Sequence, residues 1–147
     1  MRWTAIPGFE RYEISTTGHI RTWFNSRNRR LTAPIPVQGW SKKPHGYLMV
    51  SLRLNGRTYK RYIQRLVLEA FIGECPPKHE CCHVDDPTPS NCTLKNLRWG
   101  TKQSNEADKL RHGRPRGRYR NTVCLNGHPM TTDNRREAID GRGNPYG

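Results

Sequence analysis

The apolar and polar residues form their clearest pattern over residues 47–73. Four apolar residues alternate with other residues at a period of two, which predicts a half-buried strand: Leu48, Val50, Leu52 and Leu54. Asn55-Gly56 follows and predicts a tight hairpin, because both turn positions favour positive φ, with residues 57–62 as the return strand. Apolar residues then recur at helical spacing, which predicts a helix that starts near Tyr62 and stops at Gly73: Ile63, Leu66, Val67, Ala70 and Phe71.

The segments on either side have weaker patterns. The first forty residues carry scattered apolar anchors broken by Pro7-Gly8 and Gly18, which predicts two or three short strands. Residues 25–46 hold five basic residues, three prolines and two glycines. We interpret them either as a loop or extended arm that lies along phosphates or as a solvated linker. Residues 114–120 are a basic linker, either tracking a DNA backbone or serving as a solvated tether.

The segment from Cys75 to Asn96 shows little periodicity. We expect a short strand that ends at Cys82-His83, then a long loop, and then a helix capped by Thr101 that runs to Gly113. The predicted fold class is therefore α+β, with a small β-rich module, a hairpin plus helix, a ββα-like unit and a short basic tail. The domain boundaries we expect are 1–46, 47–113 and 114–147.

Composition indicates the partner. Lys and Arg number 26 against 12 Asp and Glu, for a net charge of +14 and a sequence pI near 10.2. Such an excess favours a polyanion such as nucleic acid, although an anionic membrane surface or ribosomal RNA would also attract it. No apolar run approaches the roughly 18 residues of a membrane span, and the N-terminus does not read as a signal peptide. Five cysteines without a secretion signal indicate reduced thiols or metal ligands.

Side chains capable of chemistry cluster between Cys81 and Asn105. His83 lies there among Cys82, Asp85 and Asp86, in the half of the chain that holds eight of the twelve acidic residues. Carboxylates that face a phosphate polymer repel it unless a cation lies between them. The cluster therefore favours a metal-dependent phosphodiesterase site.

Four stretches of this region together resemble the HNH endonucleases, and more narrowly the homing enzymes of bacteriophages. They are residues 63–73, Cys82-His83-Val84-Asp85, residues 96–101 and Ser104-Asn105. The run from Trp3 to Ile20 resembles the nuclease-associated modular domain that precedes the HNH unit in that family. The resemblance covers roughly residues 1–112 and implies a ββα-metal fold and cleavage of DNA phosphodiester bonds by nicking or double-strand cutting.

The resemblance also implies roles for single residues. His83 would be the general base that takes a proton from the attacking water. Asn96 would tie down the loop and orient the histidine, and Asn105 would bind one divalent ion, Mg²⁺ or Mn²⁺. The partner would be double-stranded DNA and the working form a monomer in the cytoplasm of a bacterial host.

This chain departs from the family at one metal ligand. Strong members carry Asp immediately before the catalytic histidine, where this chain has Cys82, a soft ligand that suits Mg²⁺ poorly. Either Asn105 suffices with water and phosphate, or Asp85 reaches the metal, or activity is reduced. The alternative function is a DNA-binding protein on a degenerate HNH scaffold. A basic RNA-binding protein is disfavoured because the aromatic residues form no stacking platform.

Two further sets of residues complete the prediction. Cys124 and His128 resemble half of a zinc-binding tail, without the Cys-x-x-Cys pair that completes it. A structural Zn²⁺ there would need other cysteines, such as Cys75, Cys81, Cys82 or Cys92. The expected DNA-contacting residues are all basic: Arg53, Arg57, Lys60, Arg61, Arg114, Arg116, Arg118 and Arg120.

Overall fold

A computed structural model describes residues 1–113 of the 147-residue chain. The expected C-terminal tail, 114–147, lies outside the described residues, as do its four arginines predicted to contact DNA and the zinc candidates Cys124 and His128. Neither described helix, nine and ten residues long, has the length and apolar character of a membrane span.

The N-terminal residues form a four-stranded antiparallel sheet in the order β1-β2-β3-β4. Its strands are β1 (Trp3–Ile6), β2 (Phe9–Ser15), β3 (Ile20–Phe24) and β4 (Arg30–Val37). Gly18, at φ +83°, lies in the turn between β2 and β3, where a Cβ atom would lie 2.9 Å from Cys92 Cβ. A side chain is therefore excluded where the sheet packs on the long loop of the C-terminal half.

The expectation of a loop, arm or linker over residues 25–46 is wrong. That segment contains β4, which pairs with β3, and β5 (Trp40–Lys42), which pairs with the next strand of the chain. Strand β4 is an edge strand, where Pro34 and Pro36 are tolerated because one side of the strand needs no partner for its backbone N–H groups. Backbone pairing rather than apolar burial forms this strand, and an apolar pattern does not reveal that kind of pairing.

The predicted hairpin and helix are confirmed. Strands β6 (Tyr47–Leu54) and β7 (Arg57–Tyr62) pair around Asn55-Gly56, whose φ angles are +49° and +75°. With β5 they form a three-stranded sheet. Helix α1 (Ile63–Phe71) follows at once and contacts strands of all three sheets. Its buried residues join Ile6, Ile14 and Val50 in one apolar core.

The C-terminal part of the described chain is a ββα unit, which confirms the predicted fold class. Strand β8 (His79–His83) pairs antiparallel with β9 (Leu97–Thr101), and a 3₁₀ turn (Leu94–Asn96) precedes β9. Helix α2 (Lys102–Arg111) then packs on both strands. The Thr101 side chain caps this helix by accepting a hydrogen bond from the Ser104 backbone N–H, as the sequence predicted.

Candidate active site

His83 is the last residue of β8 and is half-buried. Its ring lies 6.2 Å from that of Tyr47, and its Nε2 is buried without a hydrogen-bond partner among residues 1–113. Burial lowers the pKa of His83 below 6.5, the Asp86 carboxylate opposes this, and His112 adds to the lowering. His83 is therefore a neutral imidazole near pH 7, with a ring nitrogen that can accept a proton.

Asn96 connects the β9 side of the unit to the loop that follows His83. It is 4% exposed, and its Oδ1 accepts from the backbone N–H groups of Asp85 at 3.1 Å and Asp86 at 2.9 Å. Its Nδ2 donates to the backbone carbonyl oxygens of Asp86 at 2.9 Å and Asn91 at 3.4 Å. Its own carbonyl accepts from the Val84 N–H. These bonds hold the start of the loop, directly after His83, in one conformation.

Asp86 forms a second connection inside this loop. Its carboxylate accepts from the Thr88 backbone N–H at 2.9 Å and from Asn91 Nδ2 at 2.7 Å. A hydrogen bond from the Thr88 side chain, the largest cause, together with those from Asn91 and the Thr88 backbone, lowers the pKa of Asp86 to about 2. Asp86 is therefore ionised at neutral pH, and its negative charge favours the protonated form of the His83 ring. The neighbouring Asp85 is exposed.

Asn105 is the fourth residue of α2, and it contacts a residue that the sequence reasoning did not name. Its Nδ2 donates a hydrogen bond to Oε1 of Glu80 on β8. Strand alternation was the available signal, because Glu80 lies two residues before Cys82 and shares its face of the strand. Amide and carboxylate oxygens are the donors that Mg²⁺ and Mn²⁺ prefer, so the residues beside Asn105 fit a hard divalent ion.

Cys82 lies on the same face but in a different environment. It is 1% exposed, and a Cβ atom at Gly100 would lie 2.8 Å from its Sγ and 2.6 Å from Arg98 Nη1. Arg98 donates to Ser104 Oγ at 3.2 Å and pairs with the buried carboxylate of Asp108. Burial raises the pKa of the Cys82 thiol, so it is protonated near neutral pH. A neutral thiol therefore lies beside a guanidinium at this position.

The described cysteines do not form a zinc site. Within residues 1–113, no three His, Cys, Asp or Glu side chains are grouped so that they could hold a metal ion. All four described cysteines are free thiols, and burial raises the pKa of Cys81 to about 12 and that of Cys92 to about 11. Any metal site of the described chain must therefore include ligands of another type, such as the Asn105 amide.

Comparison with known proteins agrees with this geometry. Residues 61–107 match the family model described as HNH endonuclease, and residues 1–53 match the NUMOD4 motif. The chain carries an HNH endonuclease domain. The HNH domain includes His83, Asn96 and Asn105, and the motif that precedes it confirms the expected nuclease-associated N-terminal module.

A solved structure supports the fold of the HNH domain and its N-terminal module. The chain is similar to the HNH homing endonuclease I-HmuI, from a study of that enzyme's DNA binding and cleavage, with a TM-score of 0.66 and 23% identity. The match covers 82% of this chain and 64% of the neighbour's chain. No curated protein sequence matches the chain.

The four basic residues predicted on the hairpin beside the candidate active site do not share one face. Arg53 and Lys60 lie opposite Thr58 and Ser51 on the face away from the core, whereas Arg57 and Arg61 lie opposite Leu54 and Val50 on the core side. All four are exposed. Arg61 stacks over the rings of Phe9 and Tyr59, at 5.8 and 5.4 Å from the ring centroids. The Arg61 side chain is thus exposed but also packs against two aromatic rings.

The face away from the core leads to the HNH histidine, and we call it the outer face: Lys42, Tyr47, Arg53, Lys60 and Tyr62. Lys42 Nζ donates to the Tyr62 hydroxyl at 3.0 Å, and the Tyr47 ring lies between the rings of Tyr62 and His83, 6.2 Å from each. Sequence reasoning did not single out Tyr47. The outer face therefore extends from the tip of the hairpin to His83.

Proposed function

We propose that the protein is a metal-dependent HNH endonuclease that cuts double-stranded DNA, of the phage homing type. The observation that carries this proposal is the half-buried His83 imidazole at the end of a basic face, whose Nε2 has no hydrogen-bond partner among residues 1–113. A neutral imidazole with a free ring nitrogen is what a general base requires. A basic face beside it would hold the anionic backbone in place.

In the proposed reaction the His83 imidazole accepts a proton from a water molecule. The water oxygen attacks the phosphorus as that proton leaves, and the bond from phosphorus to the 3′ oxygen breaks. Asn96 fixes the backbone after His83 and so positions the base, and Asn105 would hold the divalent ion, Mg²⁺ or Mn²⁺. When bound, that ion would stabilise negative charge on the scissile phosphate and on the leaving oxygen.

The test is nicking of supercoiled plasmid by the purified full-length protein with Mg²⁺ or Mn²⁺. The proposal expects conversion to relaxed circles that EDTA prevents. We propose a monomer in the cytoplasm of a bacterial host, and one active site per monomer should give nicks before linear DNA. The endonuclease proposal would be overturned if the protein shifts DNA in a gel but shows no metal-dependent nicking, either of plasmid or of DNA that carries the true target.

The second candidate is a DNA-binding protein that does not cut, and Cys82 favours it. Strong members of the family carry Asp where this chain has a buried, protonated thiol beside Arg98. The plasmid experiment separates the two candidates, because both shift DNA in a gel and only the endonuclease relaxes it.

The cleavage rate should depend on pH through His83. Because burial lowers the pKa of His83, the rate should rise from acid pH with a midpoint below 6.5 and level off by neutral pH. The folded state should lose stability as pH falls below 6.5, since the unfolded chain then binds the proton first. Single-turnover rates from pH 5 to 8 would measure the midpoint. Asp86→Asn, which removes a charge that raises this pKa, should move the midpoint to still lower pH; a midpoint above 6.5 would contradict the assignment.

The two faces of the hairpin should contribute unequally to DNA binding. Replacing Arg53 and Lys60 on the outer face with Ala should reduce the slope of log K against log salt by about 2, or about 0.9 for each lost phosphate contact. The matched double variant of Arg57 and Arg61 removes the same charge and should reduce the slope by less than half as much. Fluorescence anisotropy between 50 and 200 mM salt would measure both, with melting curves to check folding. Equal slopes for the two variants would contradict the role of the outer face.

A further inference from the structure

The carboxylates near Asn105 differ in what they already bind. The Asp108 carboxylate pairs with both Arg98 and Arg111, and the Glu106 carboxylate pairs with Lys109. Glu80 instead accepts a hydrogen bond from the amide of Asn105, so it meets a neutral side chain rather than a cation. Its charge is therefore not balanced by that contact.

The position before His83 cannot provide the missing charge. Cys82 lies 1% exposed against the backbone of Gly100, beside the Arg98 guanidinium. Sulfur is a soft ligand that suits a hard cation poorly, and a neighbouring guanidinium repels such a cation. Glu80 is the next residue on the same face of β8, two positions earlier, and its side chain is exposed.

We propose that Glu80 is the carboxylate ligand of the divalent ion, together with Asn105, in place of the acid that Cys82 replaces. This inference rests on the proposed endonuclease function. The Asn105–Glu80 hydrogen bond uses one carboxylate oxygen and the amide nitrogen. It does not occupy the second carboxylate oxygen or the amide oxygen. Both are hard oxygen donors of the kind that Mg²⁺ and Mn²⁺ bind.

Glu80→Gln separates a metal ligand from a structural connection. Glutamine keeps an oxygen that can accept the hydrogen bond from Asn105, so a purely structural contact between β8 and α2 survives the change. The negative charge is lost, and a metal ligand is lost with it. Removal of a supporting residue around a metal site already costs about 10–100-fold in affinity, so loss of a direct ligand should cost at least about tenfold.

The experiment titrates Mn²⁺ into the full-length protein and follows free Mn²⁺ by electron paramagnetic resonance. We expect Glu80→Gln to weaken Mn²⁺ binding at least about tenfold, with an unchanged melting temperature. The matched control Glu106→Gln removes the same charge from the residue next to Asn105 and should change affinity less than about twofold. The Mn²⁺ concentration that gives half-maximal plasmid nicking should shift in parallel for Glu80→Gln.

The other outcomes overturn the assignment in distinguishable ways. Equal weakening in Glu80→Gln and Glu106→Gln would reveal only a general effect of charge. Wild-type affinity in Glu80→Gln with reduced affinity in Asp85→Asn would assign the ligand to Asp85. In both cases metal-dependent nicking by the wild-type protein would still support the proposed endonuclease function. A wild-type protein that neither binds Mn²⁺ nor nicks DNA would refute both proposals.

Discussion

His83→Ala should reduce plasmid nicking by about 10²–10⁴-fold, the usual contribution of a general base, without weakening DNA binding. The substitution removes the ring nitrogen that has no partner within residues 1–113, so no described hydrogen bond at that atom is lost. The charges that we propose hold DNA lie elsewhere, on the outer face. Initial nicking rates with Mg²⁺ and gel shifts at one salt concentration measure the two properties separately.

The control for that experiment is His19→Ala, which removes an exposed histidine from the turn between β2 and β3. It should nick at the wild-type rate. Nicking that persists in His83→Ala at the wild-type rate would show that His83 is not the base. A parallel loss of nicking and of DNA binding would show that His83 holds the DNA rather than activating water.

Asn96→Ala should have the largest effect on stability. The change leaves the N–H groups of Asp85 and Asp86 and the Asp86 carbonyl without their partner, and each buried unpaired group costs about 1–3 kcal/mol. Because these groups are only partly buried, we expect a loss of about 2–4 kcal/mol in the free energy of unfolding. Urea denaturation measures it, and nicking should fall as well because the backbone after His83 is released.

Two further variants make the Asn96 result interpretable. Lys95→Ala changes the exposed neighbour and should stay within about 0.5 kcal/mol of the wild type. Asn96→Asp keeps an oxygen for the two N–H groups but cannot donate to the Asp86 carbonyl, so it should fall between wild type and Asn96→Ala. An Asn96→Ala protein as stable as the wild type would exclude Asn96 as the anchor of this loop.

The helices and strands could be predicted where one short stretch of sequence contains all the residues that specify the element. The alternation over residues 48–54 and the Asn55-Gly56 turn specify the hairpin, because a period of two and two positive φ angles suit no other element. The helical spacing from Ile63 and the Thr101 cap specify α1 and α2 in the same way. Strands β4 and β5 were missed because their residues are mostly exposed and pair through backbone groups, so no alternating apolar pattern marks them.

The candidate site likewise has a part that local sequence specifies and a part that it does not. The sequence by itself determined the side chains of the HNH unit and their order, since His83, Asn96 and Asn105 stand in a recognisable pattern at the ends of local elements. Only the tertiary structure decided which side chains meet. Packing of α2 on β8 brings Asn105 to Glu80, and the fold brings the Tyr47 ring to 6.2 Å from the ring of His83. Such contacts depend on strand register and on packing between segments far apart in the chain, which a local pattern does not specify.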